Sequence, residues 1–355
     1  MSSRTKWPVA IVFIAVVAVL PQIIHGAYLL HLLTLIMMNA VLAMTFMMML
    51  RVGLLNLSVA AFWGIGAYSS AVLTTKAGFS FWLALPASIA IAVVVSLILG
   101  SLLLRSTSLG FIITSLIFAF IVPLVFGTYQ FFGGHAGIMT IPTPDPIPVG
   151  FGGHITFGSE ASYFYLLLVF SLVVVVGFLA LYRSWVGRAW RALGLSPNLA
   201  QSVAINPFRY RLLAFAICSG AAALMGVFFA HYSTVVIPDT YGPFKTIYVH
   251  MYAILGGVVS PIIGPILGAA ILTILPEALR PVGGFEPILT GALIIAIVVF
   301  MPQGLLGIFR GRRGSGASDL LLALGWIPKS RKQNDEPETQ ADLGLQAETK
   351  LGGEQ

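Results

Sequence analysis

The residue types that usually carry chemistry are few in this chain and stand far apart. His25, His31, His135, His154, His231 and His250 include no pair at helical spacing, so no metal-ligand cluster is expected. No G-x-x-x-x-G-K-[ST] phosphate loop occurs, so the chain is not expected to hydrolyse ATP itself. Before Arg310 the only acids are Asp145, Glu160, Asp239, Glu277 and Glu286, and none lies deep in an apolar run. A proton-coupled carrier generally needs such a carboxylate, which argues against that class, although a sodium site built from carbonyls would leave no mark. The one cysteine, Cys218, sits inside an apolar run and reads as a small core residue. No catalytic residue, metal or cofactor is expected, and the chain does not read as an enzyme.

What remains is a chemistry of uncharged groups. A helix broken inside lipid exposes backbone N–H and C=O groups that can meet a polar solute. Two apolar runs carry such breaks. The run 53–75 holds Gly64 and Gly66, with Asn56 and Ser58 near its start; the run 246–275 holds Gly256-Gly257, Pro261, Gly264-Pro265 and Gly268. Interrupted segments, one in each half, are what inverted-repeat transporters show around a central pathway. The candidate pathway groups are Asn56, Ser58, Phe62 and Tyr68 in the first, and the backbone around Gly256 and Gly257 in the second. Close helix packing is the competing reading for each, because Gly, Ser and Asn serve that purpose too.

The elements that must position these groups follow from composition. Of 355 residues, 58% are hydrophobic and 9% charged, far below the roughly 25% charged of a soluble domain, so the surrounding solvent is lipid. The apolar runs are 8–24, 28–50, 53–75, 81–104, 109–128, 161–182, 210–231, 246–275 and 288–308. Arg4 and Lys6 precede the first, which has no small-x-small cleavage site and is expected to be an uncleaved span. The fold expected is an all-α polytopic membrane protein of about eight full spans of ~20 residues, with 246–275 as a broken hairpin. Counting every segment gives up to ten, and nine or ten continuous spans is the alternative topology.

Basic residues orient the spans. Arg4, Lys6, Arg51, Arg105, the cluster Arg183 to Arg211 and Arg310–Arg313 place both termini in the cytoplasm. Lys76 and Lys245 then fall outside, as weak exceptions, and no buried Arg or Lys is expected within the spans. With no fixed cation or carboxylate in the spans, the solute is expected to be neutral or zwitterionic. Residues 129–160 form an outer loop, ordered but not helical, with Gly133, Gly134 and Gly137 and then four prolines from Pro142 to Pro148. The membrane domain is expected over 1–309, and 310–355, with seven of the chain's 12 acids, as a disordered cytoplasmic tail.

The inner loop 183–211 contains a bracketed helix. Ser196-Pro197 is a start signal and Asn206-Pro207 a stop, leaving a short helix over Pro197–Ile205 with Ala200 and Ala204 on one face. It reads either as a docking element for a cytoplasmic partner or as an ordinary connection.

At this point the residues resemble the permeases of branched-chain amino acid ABC importers, the LivH/LivM type, on the LivM side. The resemblance covers roughly 28–310. It rests on Ala60-Ala61-Phe62 with Gly64-Ile65-Gly66-Ala67-Tyr68, on Gly133-Gly134-His135-Ala136-Gly137-Ile138, and on Gly187-Arg188-Ala189-Trp190-Arg191-Ala192 followed by Ala204-Ile205-Asn206-Pro207-Phe208-Arg209. Leu255-Gly256-Gly257 with Gly264-Pro265-Ile266-Leu267-Gly268-Ala269, and Met301-Pro302-Gln303-Gly304-Leu305-Leu306-Gly307, complete it. Two departures stand out: Ser58-Val59 replaces the usual Gly-His, and Gln201 replaces an acid. The resemblance implies a second, LivH-like permease subunit, two cytoplasmic ATPases and a periplasmic binding protein, in a bacterial inner membrane. It makes Gly187, Arg188, Ser196, Pro197, Ala200, Gln201 and Asn206 the ATPase-coupling region, and Gly133, Gly134, His135 and Gly137 the periplasmic loop. It implies import of branched-chain or other apolar amino acids, with urea, amides or another small neutral solute as the alternative within the family. A carrier or channel working without an ATPase is the competing class.

Overall fold

The computed structural model describes residues 26–149, 153–258 and 260–279, with isolated positions at 289, 291–292, 295 and 304. The expected first span 8–24, most of the last span 288–308 and the tail 310–355 lie outside the described residues. Among the described residues the α-helices are, in order, α1 (Ala27–Arg51), α2 (Val59–Thr75), α3 (Phe81–Leu103), α4 (Ser108–Thr128), α5 (Glu160–Arg183), α6 (Trp185–Leu195), α7 (Pro197–Ser202), α8 (Pro207–Ser233), α9 (Pro243–Gly256) and α10 (Ile263–Leu279). A hairpin of β1 (Ile147–Val149) and β2 (Gly153–Ile155) interrupts the loop between α4 and α5, and among the described residues the other strand pairing is the isolated bridge Ile138–Val236.

Five of these helices, α1, α3, α4, α5 and α8, are long and apolar enough to cross a bilayer. Their bounds lie within a few residues of the apolar runs that predict them. Burial divides them. In the most apolar stretch of α1 and of α8, 72% of residues are buried, against 28% in α3, α4 and α5. The reason is the distribution of side chains. Met38–Leu50 is buried all round, as a helix without a polar face must be when it sits at the centre. On α3 the small residues Ala84, Ser88, Ala92, Ser96 and Gly100 recur every fourth position and turn inward, while Val94, Ile98 and Leu102 turn outward. α3, α4 and α5 are the lipid-facing rim, and the chain is a multi-pass membrane protein.

The run 53–75 is broken, but not at its glycines. α1 ends on Gly53 in the left-handed conformation (φ +81°), with Leu54 N–H donating to Met49 O and Gly53 N–H to Leu50 O. Residues 54–58 are non-helical, and α2 then runs unbroken through Gly64 and Gly66. Those glycines serve contact instead. A Cβ on Gly66 would lie 2.1 Å from Ala223 O, and one on Gly226 would lie 2.0 Å from Trp63 O, so α2 and α8 touch backbone to backbone. Without water to drive association, close approach of this kind is what holds helices together in lipid.

The run 246–275 is two helices, α9 and α10, separated at residues 257–262. α9 has 14 residues and spans only ~21 Å, too short to cross ~30 Å of hydrocarbon. The two helices pack antiparallel on glycine: a Cβ on Gly256 would meet Gly264 O at 1.7 Å, and one on Gly268 would meet Tyr252 O at 1.8 Å.

The loop between α5 and α8 differs from expectation. It holds two helices, because Gly187 permits a turn so tight that a Cβ there would lie 2.4 Å from Leu181 O. α6 then returns along the bundle end, burying Trp190 and Leu193. The short helix α7 stops at Ser202, not Ile205. Ala204 takes a left-handed φ of +61°, and Ile205 N–H donates to Ala200 O while Ala204 N–H donates to Gln201 O. This is the usual six-to-one closure of a helix, made here with alanine where glycine is favoured.

The α2–α8 contact yields a test. Gly66→Val forces a side chain into the Ala223 backbone and should cost at least about 3 kcal/mol, at the upper end of overpacking penalties. Its thermal midpoint in detergent should fall well below wild type. Gly177→Ala, where an added Cβ meets nothing within 4 Å, should leave the midpoint unchanged or raise it slightly.

Candidate functional site

Two irregular stretches, residues 54–58 and 234–242, come together inside the bundle, and the break at 257–262 is separate from them. In the first, Asn56 is 2% exposed and its Oδ1 accepts from the Ser58 N–H at 2.9 Å and from the Ser58 hydroxyl at 2.6 Å. Leu57 N–H donates to Ser115 Oγ of α4 at 3.2 Å, and Ala60 N–H donates to Thr246 Oγ1 of α9 at 3.2 Å. A non-helical stretch in an apolar bundle is tolerated when its donors are met in this way.

In the second, the chain leaves α8 at Thr234, left-handed at φ +57°, and passes through an extended stretch and a 3-10 turn, Pro238–Tyr241. It runs antiparallel along α2 toward α9. Tyr68 Oη donates to Val236 O at 3.3 Å, the Tyr241 ring fills the space beside Gly64, Thr246 meets Ala60, and His250 lies against the Asn56 backbone. The starts of α2 and α9 therefore face each other. Each is a short helix entered from an irregular segment, one from the Arg51 end of the bundle and the other from the Ser233 end.

α9 also runs alongside α1. Lys245 Nζ donates to Asn39 Oδ1 at 3.2 Å, the His250 ring packs tilted against Phe46 with ring centroids 3.9 Å apart, and Arg51 donates to Val258 O. Asn39 Nδ2 donates in turn to Thr273 Oγ1 of α10 at 3.1 Å. Asn39 is the thirteenth of the 25 residues of α1, so Lys245 sits at half the depth of the bundle. This corrects the expectation that Lys245 lies outside the spans and that they hold no buried cation. The missed signal was Gly242-Pro243: proline at the first helical position starts α9 there and puts Lys245 in its first turn. Thr246 and His250, whose Nδ1–H donates to Thr246 O at 2.5 Å, were missed for the same reason.

Of the pathway candidates, Asn56 and Ser58 stand at this meeting point. Phe62 packs edge-on to Phe215 and against Phe118, and Tyr68 stacks on Phe126 at 4.0 Å, so both sit in an aromatic core. Gly256 and Gly257 lie at the hairpin tip beside Val258, at the Arg51 end, and away from Asn56. The arrangement gathers hydrogen-bond donors, acceptors and one ammonium where the two irregular stretches meet.

The coupling candidates gather at the Arg51 end. Gly194 closes α6 onto α1, since a Cβ there would lie 2.4 Å from Arg51 O. Ser196 Oγ accepts from Leu199 N–H, Asn206 Oδ1 accepts from Arg209 N–H, Pro197 starts α7, and Gly187 sets the turn before α6. Arg188 and Gln201 are exposed. Ala200, however, is 2% exposed and faces the bundle, and Ala204 ends the helix. The outward apolar residues are Leu195, Leu199 and Val203, at 75%, 70% and 66% exposure. Beside them an open cleft of about 500 Å³ is lined by Leu104, Gln201, Ile205, Phe208 and Arg211.

At the opposite end Gly133, Gly134 and Gly137 take φ of +85°, +60° and +76°. A Cβ on Gly137 would lie 1.9 Å from Val236 O, which allows Ile138 and Val236 to exchange hydrogen bonds of 3.0 and 2.9 Å. The outer loop thereby pins the segment leading into α9. His135 is exposed, its ring against Gly127.

The family described as branched-chain amino acid transport system, permease component, matches residues 28–302. The chain is 31% identical over 276 residues to the high-affinity branched-chain amino acid transport system permease protein LivM of Salmonella typhimurium, and equally to that of Escherichia coli K12. These alignments cover 73% of this chain and 65% of each relative, so the chain spans less than two thirds of their length. It is also 30% identical over 172 residues to the permease protein LivH of Salmonella typhimurium, covering 45% of this chain and 55% of that protein. No solved structure matches the chain.

The first break yields a test. Asn56→Leu strips the acceptor from two buried Ser58 donors and should destabilise the protein by roughly 1–3 kcal/mol. Asn56→Asp keeps the acceptor and should retain more of the thermal midpoint in detergent than the leucine variant.

Proposed function

The chain belongs to the family of branched-chain amino acid transport system permease components, and from that premise we propose that it is one membrane-spanning subunit of an ABC importer for branched-chain or other apolar amino acids. In this reading a second, LivH-like permease completes the pathway, two cytoplasmic ATPases supply the energy, and a periplasmic binding protein delivers the solute. The observation that carries it is the facing pair of short helices α2 and α9. Their starts bring Asn56, Ser58, Thr246, His250 and Lys245 together inside an otherwise apolar bundle, with Lys245 at half its depth. Transporters place their solute at such crossings, where backbone and side-chain dipoles stand in for water.

An inverted repeat accounts for the pairings. α2 packs parallel to α8 as α9 packs parallel to α1; α3 lies on α8 as α10 lies on α1; α2 contacts α3 as α9 contacts α10. Exchanging α1, α2 and α3 with α8, α9 and α10 leaves this set of neighbours unchanged. The basic residues Arg51, Arg105, Arg183, Arg188, Arg191, Arg209 and Arg211 occupy loops or helix ends at one end of the bundle, which the positive-inside rule assigns to the cytoplasm, together with both termini. A single cysteine at position 313 should accordingly be labelled only after the membrane is opened.

The ATPase docks, in this proposal, on Leu195, Leu199 and Val203 and in the neighbouring cleft. Leu199→Asp with Val203→Asp should lower ATP-driven leucine uptake by at least about tenfold, since an apolar anchor of this kind is worth upward of ~1.4 kcal/mol. The variant's thermal midpoint should remain at the wild-type value, because both side chains face outward. The whole reading is tested in proteoliposomes. Leucine uptake should require the second permease, the ATPases, the binding protein and ATP. Uptake by this chain alone without ATP would establish a carrier or channel instead, and a binding protein that takes urea or a sugar but no amino acid would reassign the solute.

A further inference from the structure

A lysine at half-depth in a membrane bundle is costly unless something repays it. Lys245 has one hydrogen-bond acceptor among the described residues, the neutral Asn39 Oδ1 at 3.2 Å, and no carboxylate pairs with it there. Its ammonium lies 5.3 Å from the Trp63 ring centroid and 5.9 Å from that of Tyr252. An ammonium has three donors, so two are unspent. The residue as a whole is half-buried, at the face where α9 meets α1. Two further polar atoms nearby also lack a hydrogen-bond partner, the Trp63 Nε1–H and the Tyr241 hydroxyl, on rings whose centroids are 4.6 Å apart. α9 begins at Gly242 with no side-chain cap, which adds the positive end of a helix to the same place.

A purely structural tie between α9 and α1 does not require this charge. Glutamine would reach Asn39 with a neutral donor and avoid the desolvation of an ammonium. The retained charge, the unspent donors and the unpartnered Trp63 and Tyr241 groups beside it together call for an anionic partner that is not always present.

We propose that Lys245, held by Asn39 over the indole of Trp63, receives the carboxylate of the solute as it crosses the middle of the membrane. This rests on the amino-acid permease reading and adds to it a position for the pathway, along the face shared by α1 and α9, and a chemical reason for accepting a zwitterion.

The test uses the complete reconstituted importer. Lys245→Gln, which keeps a donor for Asn39, should lower ATP-driven leucine uptake at least about tenfold, while ATP hydrolysis stimulated by the binding protein stays within about twofold of wild type. Lys245→Arg should recover a substantial part of the uptake. Asn39→Ala, which removes the tie and leaves the charge, should transport far better than Lys245→Gln. Lys245→Cys in a Cys218→Ser background gives an independent measure should the glutamine variant assemble poorly. Aminoethylation of the new thiol should restore uptake and methylation should not, both read on the same monodisperse preparation. Wild-type uptake by Lys245→Gln, or equal uptake after either thiol modification, overturns the proposal and leaves the permease reading standing. A wild-type importer that moves only uncharged solutes removes both.

Discussion

In hydrocarbon an unpaired backbone amide has no water to turn to, and among the described residues the stretches 54–58 and 234–242 run without α-helix inside an apolar bundle. Each interruption therefore has to borrow partners from other helices. Residues 54–58 draw on Ser115 of α4 and on Asn56 within the segment itself, and the first turn of α2 draws on Thr246 of α9. The segment after α8 draws on Ile138 of the outer loop and on Tyr68 of α2. The debts run in opposite directions along the same groove, so the two short helices are fixed relative to each other. Moving α9 would leave the Ala60 N–H without its acceptor, and moving α2 would take the Tyr68 hydroxyl from Val236 O. Such a crossing behaves as one unit, which is what a pathway shared between two halves requires.

The long helices were legible because their signal is simple. Five apolar runs of about the right length became α1, α3, α4, α5 and α8 with ends displaced by at most a few residues. The hairpin in 246–275 was legible too, because that run was too long for one span and too rich in glycine and proline. The first break was misplaced because glycine carries two messages in a membrane helix. Gly64 and Gly66 read equally as an interruption and as close contact, and only the position of α8 decides between them. The true break has another signature, Gly53 as a left-handed stop and Asn56-x-Ser58 as a local turn, both faint among apolar neighbours.

Where side chains point was less legible than where helices lie. Ala200 and Ala204 share a face in an ideal helix, yet α7 is six residues long and ends before Ala204. Its inner side is set by α6 and α8, and the sequence carries no periodicity long enough to reveal that. Gly187 and Gly194, which fold α6 against the bundle end, were noticed or passed over as loop residues, because a tight turn and a flexible loop use the same amino acid. Phe62 and Tyr68 fell in the aromatic core for a related reason: an aromatic at a break serves stacking and solute contact with the same surface.

The two facing helix starts are not equivalent, and the difference separates support from function. At α2 the entering segment closes on itself: Asn56 meets both Ser58 donors, and Thr246 meets Ala60. At α9 the start is left open. Gly242 has no side chain with which to cap, Pro243 has no N–H to offer, and the first charged residue is a cation placed at the positive end of the helix, where electrostatics disfavours it. A sequence selected for stability alone would put Asp or Ser at position 242 and a neutral residue at 245. An opening that concentrates positive potential, beside a partner start that is already satisfied, leaves the crossing short of one anionic group. The fold does not supply that group among the described residues; in the proposed role of Lys245 the carboxylate of a zwitterionic solute supplies it.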